Sequence, residues 1–565
     1  MSAFTFKSYL ILGSRIHNVR GFLCDSLFLL CLNKYSEYIG FTNRSDQLSR
    51  RDFRWGINFF LMYSKQMMRL SFLVYLCICL GLPLNAQEAN ILLDRAFWRS
   101  APGEEGVKAK VAAGHDPLAV TSAAFDAVTY AMLEHAPYAT VKYLLSLHED
   151  PANKITHDGR NYLMWAAYAG ELDLVKDLIE MGSDLKMYDD HGYNVVAFCA
   201  TTGQDNQAIY DVLIEHGADV KATNRAGANA LLLLAKHLGD DLSMIDYFVD
   251  KGLPLTSTDD ADNGLFNYAA VKGNIPLMEK AIEWNLPYAE RNADGGNAML
   301  FASRGYRGSV NDLAVYEYLA DKGVEANVVT NKGETPLHNI AFRTSDPEIF
   351  RFFVERGVDI NQADEAGNTM LLNAIRGGNK DIAMAYLPRV ADINHQNEKG
   401  HSALTFAVRE NLPTLATALM EAGAQSSIVD ADGNNLAGHL FMTFDAESKA
   451  SFAAVMEILK TAGVDAQATQ AEGNTLLHYA VDRQSPYLIE VALAQGVDIN
   501  TKNTNGLTPL HYAAMKAKDA SLLQLLVEKG ADTSLTTDFE ETVYDLAAEN
   551  ELLKESGFDL DLLKR

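Results

Sequence analysis

The side chains with which this 565-residue chain could do nucleophilic or metal chemistry are its 14 histidines and five cysteines. Their spacing forms no site motif: there is no His-Glu-x-x-His zinc motif, no phosphate-cradling P-loop, no nucleophile elbow and no paired cysteine spacing for zinc. Cys199 stands where the local pattern calls for a small buried residue, which predicts a core thiol rather than a nucleophile. The acidic pairs Asp189-Asp190 and Asp430-Ala431-Asp432 could offer carboxylates to calcium. They lack the 12-residue loop spacing that such a site uses, and Asp is an ordinary turn former, so turn chemistry is the better reading. Three histidines, His338, His478 and His511, occupy the same place in a recurring Thr-x-Leu-His motif, and each is expected to bond the backbone rather than a metal. The sequence therefore predicts no catalytic residue, no metal ligand and no cofactor.

The elements that carry these residues are read most clearly near the C-terminal end. Asn505-Gly506 makes a tight turn, Thr508 serves as a helix N-cap and Pro509 fits the first helical position, where no N–H is missed. The apolar positions from Leu522 to Val527 make a second helix, which Gly530 closes with a positive φ. Two short helices and a turn cannot bury their own apolar face. The same unit recurs upstream, with Gly506 preceded by Gly473, Gly433, Gly400, Gly367, Gly333, Gly296, Gly264, Gly227, Gly192 and Gly159. Most steps lie between 32 and 37 residues, several are 33, and the step from Gly433 to Gly473 is 40. The opening motif repeats as Thr335-Pro336-Leu337-His338 and Thr475-Leu476-Leu477-His478. The closing motif repeats as Gly217-Ala218-Asp219 and Gly357-Val358-Asp359-Ile360-Asn361.

This pattern resembles the ankyrin repeat, with its 33-residue period and Thr-Pro-Leu-His-x-Ala signature. The resemblance covers roughly residues 97 to 550 and implies an all-α repeat solenoid of helix pairs joined by short β-hairpin loops. Some copies depart from it, with Met164, Ala197, Leu232 and Leu300 in place of the histidine. The expected organisation is an N-terminal cap and divergent repeat over 87–150, an ankyrin array over 151–535 and a C-terminal capping repeat and tail over 536–565. Glu540 replaces the last hairpin glycine, and the tail from Gly557 is expected to fray.

Residues 1–66 show no repeat and are basic, with nine Lys or Arg against four Asp or Glu. Over 67–86 comes the order of a secretory signal: Lys65 to Arg69, an apolar run from Leu70 to Leu84, and Ala86 before Gln87. This predicts translation from Met67 or Met68, a non-native or disordered extension before it, and a periplasmic or secreted protein of the exported bacterial type. An uncleaved anchor is the alternative, although the run is short for a membrane span. Without residues 1–86, 38 basic and 70 acidic side chains remain, a formal charge of −32, and Cys199 is the one cysteine left. Phosphate backbones would be repelled, so nucleic acid is not an expected partner. A lone thiol offers no internal disulfide.

Ankyrin arrays are cupped, with hairpin tips and first helices lining the concave face. On that resemblance the position before the small Ala pair of each first helix points into the concavity. It reads Trp165, Phe198, Tyr268, Phe301, Phe406, Tyr479 and Tyr512. Beside it, at the helix ends, run Lys236, Lys272, Arg304, Arg343, Arg376, Arg409, Arg483 and Lys516. Aromatic anchors flanked by Arg are what binding hot spots are made of. Two plainer accounts stand beside this one: the rings pack against the next repeat, and cations at a helix C-terminus are favoured by the dipole. The expected function is a non-catalytic, monomeric scaffold that binds another protein through an acidic and apolar segment, away from membranes once the signal is cleaved. The alternatives are an envelope protective factor with many weak clients and an enzyme with a dispersed site.

Overall fold

The computed structural model describes residues 89–306, 308–555 and 559–564. The expectations for 1–66 and 67–86 lie outside the described residues. From Asn90 onward the chain forms one compact unit, an all-α repeat solenoid. The unit read from the sequence is present in the same register. Thr508 caps the helix Pro509–Lys516, a second helix Ser521–Glu528 follows, and Gly530 sits at φ +97°. First helices such as Tyr162–Ala169, Val195–Thr202 and Ala230–Ala235 pack on one another in one layer. Second helices such as Leu172–Glu180 and Gln207–Glu215 form the other.

Most first helices begin at a residue whose side chain meets an otherwise unpaired backbone N–H of the first turn; the helix after Gly264 is an exception. Asn161, Asn194, Asn229 and Asn435 accept from the third helical residue, as Thr and Ser do elsewhere, a contact worth about 1 kcal/mol. The hairpin ends carry isolated bridges, such as Val429 with Asn435, and the described residues contain no sheet. Neighbouring hairpins are tied by single backbone bonds, from Asp190 N–H to Asp158, Glu398 N–H to Ala366 and Ala431 N–H to Lys399, at 2.9–3.0 Å. The core between the layers is continuous. It is aromatic in places, with Tyr316 5.1 Å from Phe353 in the second-helix layer and Phe441 of a first helix 5.5 Å from Phe452 of its second helix.

Two turn positions and one end differ from the sequence reading. The left-handed turn residues are Asp262 and Gly295, one or two places before Gly264 and Gly296; Gly264 has φ −96° and serves as a helix N-cap. Glu540, at φ +64°, does replace the last hairpin glycine. The tail does not fray beyond Asp559: Leu560–Leu563 forms a 3-10 turn whose Leu563 is buried, and Lys564 lies over the Tyr544 ring. The 40-residue step after Gly433 is taken up by a 3-10 turn, Ala446–Ser448, and a 13-residue second helix, Lys449–Thr461, without breaking the stack. Among the described residues no helix is long and apolar enough to cross a membrane.

Candidate functional site

The three motif histidines behave as the sequence predicts. His478 is fully buried, and its Nδ1 accepts the Thr475 N–H at 3.1 Å. Its Nε2 lies 2.9 Å from the Leu507 carbonyl of the next repeat. His338 spans from Thr335 to the Asn368 carbonyl and His511 from Thr508 to that of Leu535 in the same way. An imidazole in this setting must keep one proton, on Nε2, so burial holds all three below the ordinary histidine range; His478 is brought to about 4. They staple one repeat to the next and offer no lone pair to a ligand. Cys199 is buried, and desolvation pushes its thiol up to about 12, too high for a nucleophile near neutrality. The acidic turns are self-satisfied: Asp189 Oδ1 accepts the His191 and Tyr193 N–H groups, and Asp430 Oδ1 those of Asp432 and Asn434.

The aromatic row divides. Trp165, Phe198, Phe301 and Phe406 are buried, at 4–9 % exposure, so their ring faces are used within the array and present little area to a partner. Trp165 and Phe198 meet edge to face at 5.7 Å. Between them lies Arg160, which the sequence reading passed over. It is buried, 4.3 Å from the Phe198 ring, with its Nε 2.9 Å from Asp189 Oδ2. Tyr268, Tyr479 and Tyr512 are half-buried, and their hydroxyls meet Asp259, Asn434 and Lys516.

The basic row is not uniform either. Arg304 is paired with Glu334 at 2.9 Å, Lys516 with Asp482 at 2.6 Å, and Arg483 donates to the Phe444 carbonyl. Lys236 and Lys272 lie over the Tyr306 ring at 5.0 and 5.5 Å. Three consecutive repeats differ. Arg343 is exposed, and its guanidinium has no ion-pair or hydrogen-bond partner among the described residues. Arg376 is exposed, with its guanidinium over two rings, Phe342 at 5.3 Å and Phe406 at 5.5 Å, and no carboxylate partner among the described residues. Arg409 is half-exposed and meets a ring nitrogen of His439. Phe342 itself is 41 % exposed. It lies just past its helix, outside the column read as an aromatic row, and its only signal is a large apolar residue directly after the buried Ala341.

This stretch gathers three guanidinium groups, one of them over two rings, in a chain whose formal charge is −26. Arg over an aromatic face keeps its N–H edges turned outward, able to make two parallel bonds to a carboxylate.

A profile of the ankyrin-repeat family, described as ankyrin repeats in three copies, matches residues 128–224, 306–397, 340–430 and 445–537, more than half of the chain. The chain belongs to the ankyrin-repeat family. Ankyrin arrays are protein-interaction scaffolds, and the family is typically non-catalytic. A 129-residue segment is 30% identical to the transient receptor potential cation channel subfamily A member 1 of Homo sapiens. The match takes in 22% of this chain and 11% of that protein's length.

Proposed function

We propose that this chain is a non-catalytic scaffold that binds one protein partner on the face formed by its hairpin ends and first helices, in an exported compartment. The observation that carries the reading is Arg376, exposed over Phe342 and Phe406 without a carboxylate, while Arg304 and Lys516 of the same row are paired. The partner segment carries carboxylates for Arg343 and Arg376 beside an apolar side chain for Phe342. Partly desolvated Arg beside an aromatic anchor makes a hot spot worth about 2 kcal/mol or more per residue. The buried Cys199 and the stapled histidines fit an absence of catalysis. The order basic, apolar, small over 65–87 supports export, with the mature chain starting at Gln87.

The test is affinity capture from the exported fraction of the native cell, with the wild type beside Arg343→Glu/Arg376→Glu. Paired Arg304→Glu serves as a charge-matched control, and the recovered chain is sequenced from its N-terminus. A dominant partner retained by the control and lost by the double variant is the expected result. Equal recovery by all three baits overturns the proposed surface, and recovery with residues 1–66 attached overturns the export reading.

A further inference from the structure

Three columns of side chains meet at each joint between hairpins. The residue that starts a hairpin faces the fourth residue of its own first helix, nine positions on: Trp165 Nε1–H donates to Thr156 Oγ1 at 2.8 Å and the Tyr268 hydroxyl to Asp259 at 2.9 Å. It also faces the residue after the previous turn glycine, as Asn397 Nδ2 meets Asn368 Oδ1 and Asn503 Nδ2 meets Asn474 Oδ1, both at 2.9 Å. At one joint these columns hold Arg160, Asp189 and Phe198, and the buried carboxylate is met by the Arg160 cation. At another, with the same spacings of 29 and nine residues, they hold His401, Asp430 and His439. Here the carboxylate meets two imidazoles in place of a cation.

The geometry of the second joint is that of converging ligands. One atom from each residue lies within 4.8 Å of the others; Asp430 Oδ2 is 3.1 Å from His439 Nε2 and 3.8 Å from His401 Nε2. The two rings are nearly perpendicular, with centroids 5.1 Å apart. Asp430 is held in place by the Asp432 and Asn434 backbone and by the Asn434 amide on Oδ2 at 3.0 Å. His439 is 1 % exposed, and its buried Nε2 makes no hydrogen bond among the described residues. Nε2 and Oδ2 therefore lie side by side without pointing at each other, as two ligands of one centre do.

We propose that His401, Asp430 and His439 form a site for a divalent transition-metal ion of the zinc class. Two imidazole nitrogens and one carboxylate oxygen, with further coordination open to water or to a partner's side chain, suit such an ion. Calcium and magnesium, which take oxygen ligands, do not fit the set. No local motif announces it, because the three ligands come from two repeats. The proposal stands independently of the partner surface.

Arg409 sets the condition for binding. Its Nη1 is 3.1 Å from His439 Nδ1, and a guanidinium only donates, so that contact keeps the ring proton off Nδ1. A neutral histidine bound to metal through Nε2 carries its proton on Nδ1. Arg409 must turn away when the metal binds, which its half-exposed position allows. It acts as a competitor of the cation.

The test is a titration of the whole chain, freed of metal with a chelator, with Co2+ followed by its visible absorption, and then with Zn2+ to displace it. The expected result is one site per chain. Binding should weaken about a hundredfold or more in Asp430→Asn, which keeps the turn, and in His439→Phe, which copies the Phe198 joint. Arg409→Met should bind tighter than wild type. Zn2+ should raise the melting temperature of wild type but not of His439→Phe, whose own unfolding without metal shows that it folds. Absence of a Co2+ spectrum, affinity unchanged in His439→Phe, or weaker binding in Arg409→Met overturns the assignment.

Discussion

Acid should loosen the array at its histidine staples, and His478 allows the size of the effect to be worked out. Its ring is fully buried, with Nδ1 accepting from Thr475 and Nε2 facing the Leu507 carbonyl across the repeat boundary. A second proton on Nδ1 would break the cap and bury a charge, which is why the folded value falls to about 4 while the unfolded chain titrates near 6.5. The unfolded state thus binds the proton first on acidification. Stability from this group is complete above pH ~6.5, falls as the pH drops, and is fully lost below about 4. Between pH 7.5 and 4.5 the loss is about 2.5 kcal/mol at ~1.4 kcal/mol per unit. The comparison is His478→Thr, since Thr405 already makes the same capping box with Ser402 in this chain. The variant loses the bond to Leu507 and some buried volume, so it should be less stable by about 2–4 kcal/mol at pH 7.5. Its further loss at pH 4.5 should be smaller than that of wild type by about 2.5 kcal/mol. A repeat array need not unfold as one unit. The measurement is therefore urea unfolding at both pH values, with hydrogen-exchange protection of helix Leu476–Asp482 as the local reading. Identical pH dependence in the two proteins would refute the mechanism.

Two glycines that look alike in sequence should respond differently to alanine. Gly506 has φ +71°, and a Cβ there would lie 2.4 Å from Asp538 Cγ and 2.8 Å from its backbone nitrogen. Gly433, at φ +91°, has nothing within 4 Å. Gly433→Ala should cost only the left-handed backbone term of about 1–2 kcal/mol, and Gly506→Ala clearly more; equal melting temperatures would contradict this. Arg160→Met should destabilise by about 3–5 kcal/mol, since it leaves the buried Asp189 carboxylate without its cation. Adding Asp189→Asn should restore much of that loss in urea unfolding, because Asn keeps the turn without the charge.

What the sequence revealed is what recurs. The period, the capping Thr and Pro, and the closing glycine are each set by contacts within about 30 residues, and each has a backbone reason that repeats from copy to copy. Where the pattern degenerates, the reading slipped: Asp262 takes the left-handed position two residues before Gly264, because Asp tolerates that conformation and Gly264 was free to become a cap. Leu563 was unreadable as a docked residue, since one buried leucine in a short acidic tail has no periodicity to betray it.

The site was legible only as columns, and a column fixes direction without fixing exposure. Trp165 and Tyr512 hold the same position, yet Trp165 is closed in by Arg160, Phe125 and Phe198, whereas Tyr512 lies beside exposed Lys516. What a column residue becomes depends on the residues about 30 positions away in each neighbouring repeat, and those vary independently. Among the described residues Arg376 meets no acidic side chain, whereas Arg304, at the same helix-end position, is paired with Glu334. The unit that varies here is thus the joint between two repeats. The same three positions hold Arg160, Asp189 and Phe198 at one joint and His401, Asp430 and His439 at another. One set is closed by its own cation, and the other presents a carboxylate and two imidazoles on an unchanged backbone. A repeat scaffold can therefore carry a different chemistry at each joint without altering the period that identifies it.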